Sequence, residues 1–119
     1  MKPTFFKTSA HLRRWLEKNH ASKSELWIGM YKKASGKGGI TYEEALEEAL
    51  CFGWIDGVRK RFDDDSFVQR FTPRTAKSYW SAVNTRRVAE LKSAGRMHRA
   101  GLAAFERRDK SKSEAYSFE

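Results

Sequence analysis

Apolar residues recur along this chain with two different periods, and the switches between them mark out seven elements. From Ser9 to His20, Leu12, Trp15 and Leu16 fall at i, i+3 and i+4, which puts them on one stripe of a helix. Arg13, Arg14, Glu17 and Lys18 take the wet side, and Thr8 or Ser9 caps the start. From Glu25 to Lys33 the period drops to two: Leu26, Ile28 and Met30 point one way, and Trp27, Gly29 and Tyr31 the other. Both sets are largely apolar, so this strand is expected to be central and covered on both faces. The glycine-rich loop from Ala34 to Gly39 ends it.

Thr41-Tyr42-Glu43-Glu44 is a capping box that opens a second helix. Tyr42, Ala45, Leu46, Ala49 and Leu50 form its apolar face. Glu43, Glu44, Glu47 and Glu48 crowd the half where the helix dipole favours acids. Gly53 terminates it. Trp54 to Phe62 and Ser66 to Thr72 read as an antiparallel hairpin turning at Asp63-Asp64-Asp65, with Pro73 closing the second strand. Phe67, Gln69 and Phe71 share one face of that strand, and Val68, Arg70 and Thr72 the other. A third helix is expected from Ser81 to Ala94 on a stripe of Trp80, Val83, Val88 and Leu91. A fourth follows from Arg99 to Arg108, anchored by Leu102 and Phe105. The tail from Asp109 is polar apart from Tyr116 and Phe118. The order α-β-α-β-β-α-α predicts a single α+β domain over residues 1–119: a small antiparallel or mixed three-stranded sheet packed with about four helices.

Composition narrows the class. At 119 residues, with eight Phe, four Tyr and four Trp, the chain can build a core without disulfides or metal. The lone Cys51 cannot form an internal disulfide. The start lacks an apolar run of signal-peptide length, and no stretch approaches a membrane span of roughly 20 apolar residues. A cytoplasmic protein is expected. The net charge is +9, and residues 70–99 hold eight basic side chains against one acidic. Such a field attracts polyanions and also keeps a protein soluble.

The chemistry-bearing residues are few. Cys51 sits at the negative end of its helix on the side of the glutamates, which disfavours the reactive thiolate. A buried, inert thiol is expected. His11, His20 and His98 lack the spacing of metal-ligand pairs, so no metal or cofactor is expected. The Lys32–Gly39 loop matches neither phosphate-loop spacing and reads as a flexible connector. Asp56 lies in an apolar strand and needs a partner if buried, with Arg70 or Arg74 as candidates. The densest polar and aromatic stretch runs from Arg70 through Arg74 to Ser78-Tyr79-Trp80-Ser81-Ala82-Val83-Asn84. The stretch reads as ordinary capping, with Ser78 or Ser81 as N-cap and Trp80 as core; arginine forks beside a helix start also suit an oxyanion, and arginines among aromatics suit single-stranded nucleic acid.

Several of these stretches resemble the YdeI/OmpD-associated family, also labelled bacteriocin-protection proteins. They are Glu48 to Gly57 (EALCFGWIDG), Arg70 to Arg74 (RFTPR), Ser78 to Asn84 (SYWSAVN), Gly95-Arg96-Met97 and Ala100-Gly101-Leu102. Trp15-Leu16, Leu26-Trp27-Ile28 and Tyr31 to Gly36 fit as well. The resemblance implies a link to envelope stress or antimicrobial-peptide resistance and supplies no catalytic residues. Members of that family continue into a helical C-terminal part, so this chain is expected to be the N-terminal part of a longer protein, with a junction near Ala115–Glu119.

The leading expectation is a non-enzymatic stress-protection binding module with an anion-binding cleft. Arg70 and Arg74 would contact the anion, Ser81 and Asn84 would donate hydrogen bonds, Trp54 and Trp80 would wall the site, and Asp56 would lie within it. The alternatives are nucleic-acid binding through the 70–99 surface and a small enzyme using Asp56 or Cys51.

Overall fold

In a computed structural model of the chain, residues 1–109 are described. Tyr116 and Phe118 of the expected tail lie outside the described residues. The elements are α1 (Ser9–Asn19), β1 (Leu26–Tyr31), a 3-10 turn (Lys33–Ser35), α2 (Tyr42–Cys51), β2 (Trp54–Arg61), β3 (Ser66–Pro73), α3 (Ala82–Ser93) and α4 (Arg99–Glu106). The class is α+β. The sheet is antiparallel throughout, in the order β1-β3-β2.

The middle strand is therefore β3, not β1 as the apolar run suggested. Leu26 pairs with Phe71 and Met30 with Phe67 along one edge of β3, and β2 takes the other. The free edge of β1 is not bare. Thr4 forms a parallel bridge to Ile28, donating to the Trp27 carbonyl at 2.9 Å and accepting from Gly29 N at 2.8 Å. The Phe5 ring then lies where a side chain on residue 29 would be, so only glycine fits there. This short arm accounts for the apolar second face of β1: Phe5 stacks on Tyr31 with ring centres 4.8 Å apart.

The helices cover the opposite face. Thr41 caps α2 through both arms of its capping box. The apolar stripes of α1 and α2 bury Leu12, Leu16, Leu46 and Leu50 with Ile28, Met30 and Phe71 in one core. Glu48 is only 4 % exposed. Its carboxylate accepts from Arg13 at 3.2 Å and from Arg96 at 2.9 Å. Arg13 also donates to the Arg96 carbonyl at 2.8 Å. A lone buried carboxylate would cost several kcal/mol. Clamped between two guanidiniums, it instead ties α1, α2 and the α3–α4 connection together.

The expected stripes of the last two helices also shift. Val83 is 50 % exposed, leaving Val88 and Leu91 as the buried residues of α3. The deepest residues of α4 are Gly101 and Ala104, while Phe105 packs edge-on against Trp80 at 5.2 Å. Small residues sit there because α4 abuts the end of α2. A Cβ on Gly101 would overlap the Cys51 carbonyl oxygen, and one on Gly53, at φ +78°, would come within 2.7 Å of the Ala104 methyl. His98 N donates to the same Cys51 carbonyl at 2.9 Å, and its Nδ1 caps α4 by accepting from Ala100 N at 3.0 Å. The ring stacks on Phe52 and meets His20 edge-on.

Two expectations follow. Replacing Gly101 with Ala overpacks the α2–α4 contact and lowers unfolding stability by about 1–3 kcal/mol in urea titrations. Burial, then the charges of His20, Arg99 and Arg13, hold the His98 imidazole below its ordinary value of 6.5. The unfolded chain thus takes up the proton more readily. The stability tied to neutral His98 is complete above pH 6.5 and is lost as pH falls through the folded-state value. Asn caps well and does not titrate, so His98→Asn flattens the acid limb of a melting-temperature profile.

Candidate functional site

The hairpin register decides which polar residues meet. Asp56 lies opposite Phe71, and Arg59 lies opposite Gln69. Phe71 and Gln69 both face the helices. Asp56 and Arg59 are three residues apart and would point to opposite faces of a regular strand. The irregularity between them at Gly57-Val58 turns both toward the helix side.

There Asp56 accepts a hydrogen bond from the Tyr42 hydroxyl at 2.7 Å. Arg59 Nε donates to Gln69 Oε1 at 2.8 Å, and Gln69 Nε2 donates to the Gly57 carbonyl at 2.5 Å. The Arg59 guanidinium lies 4.3 Å from the Phe67 ring centre and 5.1 Å from that of Tyr42. Burial first, then the bond to Asp56 and its charge, push the Tyr42 phenol up to about 12, against the pull of Arg59 and Arg87. On the other side of Tyr42 and Phe67, a cavity of about 570 Å³ runs along Met30, Lys32, Gly38 and Ile40.

Arg74 follows β3 and is 5 % exposed. Its backbone N–H donates to the Gly53 carbonyl at 2.9 Å. Nη1 donates to the Tyr79 carbonyl at 2.8 Å, and the guanidinium stacks on Trp80, 3.8 Å above the ring centre. Nε and Nη2 are buried and find no hydrogen-bond partner among the described residues, and neither does Trp80 Nε1. Burial drives the Arg74 guanidinium down to about 10, with the Asp56 charge drawing it the other way. Asp56 forms no ion pair with it within 4.0 Å. Two strong donors on one guanidinium edge are thus buried and unsatisfied among the described residues.

Of the seven residues grouped by sequence, Asp56 and Arg74 stand within electrostatic reach of each other. Ser81 is the N-cap of α3 and accepts from Asn84 N at 3.1 Å. Trp54 and Trp80, each 1 % exposed, are core residues rather than walls of a solvent-open cleft. Arg70 is elsewhere. It pairs with Trp27 across β1, on the face turned away from Asp56, and bonds Glu25 at 2.5 Å. Neither arginine is the direct partner of Asp56. Tyr42, Arg59 and Gln69 were not anticipated; Gly57 inside a strand pattern is the signal for the bulge that assembles them.

The remaining candidates are quiet. Cys51 is fully buried, and burial followed by the Glu48 charge raises its thiol above the ordinary range. No group of three or more His, Cys, Asp or Glu among the described residues could hold a metal ion. No helix among them is long and apolar enough to cross a membrane.

The Tyr42–Asp56 bond has a spectroscopic signature. Alkaline titration at 295 nm is expected to show one phenol ionising near 12. Asp56→Asn brings it down toward the ordinary range, and Tyr42→Phe removes the late step. The sign is fixed by the raised folded value: stability tied to the neutral phenol is present below pH 10 and is lost as pH rises through about 12.

Compared with known proteins, the chain has no match among curated proteins or solved structures. Residues 4–104 match the family described as Domain of unknown function (DUF8412), a span that runs from the Thr4 bridge to Ala104 against Gly53 and takes in every strand and the first three helices. The chain belongs to that family.

Proposed function

We propose that this protein is a non-enzymatic binding module that holds a small oxyanion, of the carboxylate or phosphate class, against Nε and Nη2 of Arg74. One observation carries the reading: an arginine only 5 % exposed, with Nε and Nη2 both buried and without partners among the described residues. Those two donors form the edge that matches an oxyanion bidentately. A buried cation lacking a contact ion costs several kcal/mol, and an anion at that edge offsets the cost. Trp80 Nε1 adds a third unsatisfied donor on the ring beneath it. Ser81 and Asn84 belong to the same helix start, but the Ser81 hydroxyl is engaged in the cap.

The role in bacteriocin or envelope-stress protection implied by the motif resemblance, and a cytoplasmic location, belong to this proposal. Enzyme chemistry has less behind it, because the Cys51 thiol is sealed in the core and the Tyr42 phenol keeps its proton at neutral pH. The basic stretch 70–99 is also a thinner surface than its charge count suggests: Arg74 is buried, and Arg96 is held by the buried Glu48.

Thermal melts of the wild type and Arg74→Met in phosphate, acetate and chloride at matched ionic strength test the reading. Wild type is expected to gain stability with phosphate or acetate, reaching about 2.7 kcal/mol at a hundredfold excess over Kd. Arg74→Met is expected to lose that gain while matching or exceeding wild-type stability in chloride, since replacing an unpaired buried charge with an apolar chain removes its desolvation cost. An equal anion response in both proteins would overturn the assignment.

A further inference from the structure

The sheet has a second face. Residues of β1, β2 and β3 that alternate with the core positions point away from the helices: Trp27, Tyr31, Lys60 and Arg70 among them. The Phe5 arm covers the middle of this face, over Gly29, and stacks on Tyr31. What remains is a row of half-exposed rings with cations beside them. Lys60 Nζ lies 5.6 Å from the Trp27 ring centre, and Lys37 Nζ lies 5.4 Å from that of Tyr31. Arg70 is the direct cross-strand neighbour of Trp27. Phe62, 46 % exposed, extends the row beyond Phe5.

We infer that this outer sheet face binds single-stranded nucleic acid, with bases stacking on Trp27 and on the Tyr31–Phe5 pair while Lys60, Arg70 and Lys37 meet the phosphates. The rings supply the sequence-tolerant part of such a surface, and the cations the electrostatic part. Lys60 makes no ion pair within 4.0 Å among the described residues. Arg70 and Lys37 do, with Glu25 and Asp65, but both pairs are about half exposed. Exposed pairs of this kind are weak and yield to competing anions. The net charge of +9 brings a polyanion to the protein from a distance, and it has no preference among nucleotides. This surface is separate from the Arg74 edge, and the two proposals stand or fall independently.

Fluorescence anisotropy of labelled oligo(dT) and oligo(U), about 12 nucleotides long, tests it across a salt series, with Trp27→Ala, Trp27→Phe, Lys60→Gln and Arg86→Gln/Arg87→Gln variants. Wild type is expected to bind at low salt with affinity that falls steeply as salt rises. Trp27→Ala is expected to weaken binding about tenfold and Trp27→Phe to restore most of it. Lys60→Gln lowers the slope of log K against log salt by about 0.7. No binding at low salt would overturn the inference. So would unchanged binding in Trp27→Ala with loss in Arg86→Gln/Arg87→Gln, which would move the contact to α3. A stable dimer in which Trp27 is shielded from acrylamide quenching would overturn it too, by making the face an interface between copies of this chain.

Discussion

Alternation along β3 is the constraint from which the rest of the arrangement follows. The strand is paired on both edges, so its register is fixed twice and its side chains must divide strictly between two faces. Phe67, Gln69 and Phe71 go to the helices; Val68 and Arg70 go to the other side. That division separates Arg70 from Asp56 and Arg74, although all three fall within nineteen residues of sequence. It also leaves the protein with two chemically different surfaces, one packed and polar at its margin, the other a row of rings and cations. The bulge at Gly57-Val58 is the single local departure from period two, and it is what allows Asp56 and Arg59 to work on the same side.

Two buried charges show how differently this fold treats ions. Glu48 lies under α1 with guanidiniums from Arg13 and Arg96 on its oxygens. Breaking that arrangement would strand a charge between three elements, so it acts as a structural joint. Arg74 is buried to a similar degree, yet keeps one backbone acceptor and a ring beneath it. Its charge is felt by Asp56 only at a distance, while Asp56 itself is held by Tyr42. The first ion is complete among the described residues; the second keeps two donors that find no acceptor there. That contrast, more than the number of basic residues, is the reason for placing a ligand at Arg74.

Much of the fold was legible because local signals were strong. The capping box at Thr41, the Leu12/Trp15/Leu16 stripe and the aspartate turn each specify their element without tertiary help. The sequence misled where packing partners decide. An apolar run in β1 suggested a central strand, because nothing in the pattern announces that Phe5 folds back over Gly29. Nothing local marks Glu48 as buried, because its partners are thirty-five and forty-eight residues away. Val83 fitted a helical stripe but faces outward, and α4 contacts α2 through Gly101 and Ala104 rather than through its larger residues. For the site, residue types were readable and geometry was not. Arg74 was singled out, and Trp80 with it, but no periodicity rule states that both would be buried together with open donors. Tyr42 was counted as core, and its hydroxyl turned out to hold Asp56.

Nitrogen-15 NMR of the arginine Nε–Hε groups observes the central claim directly, with the Arg74 signal assigned by its disappearance in Arg74→Lys. The account predicts that this signal is protected from water exchange in the free protein, and that it shifts saturably on phosphate addition while the Arg59 and Arg70 signals stay nearly still. An Arg74 signal that ignores phosphate, or one that moves only in proportion to the surface arginines, would contradict it.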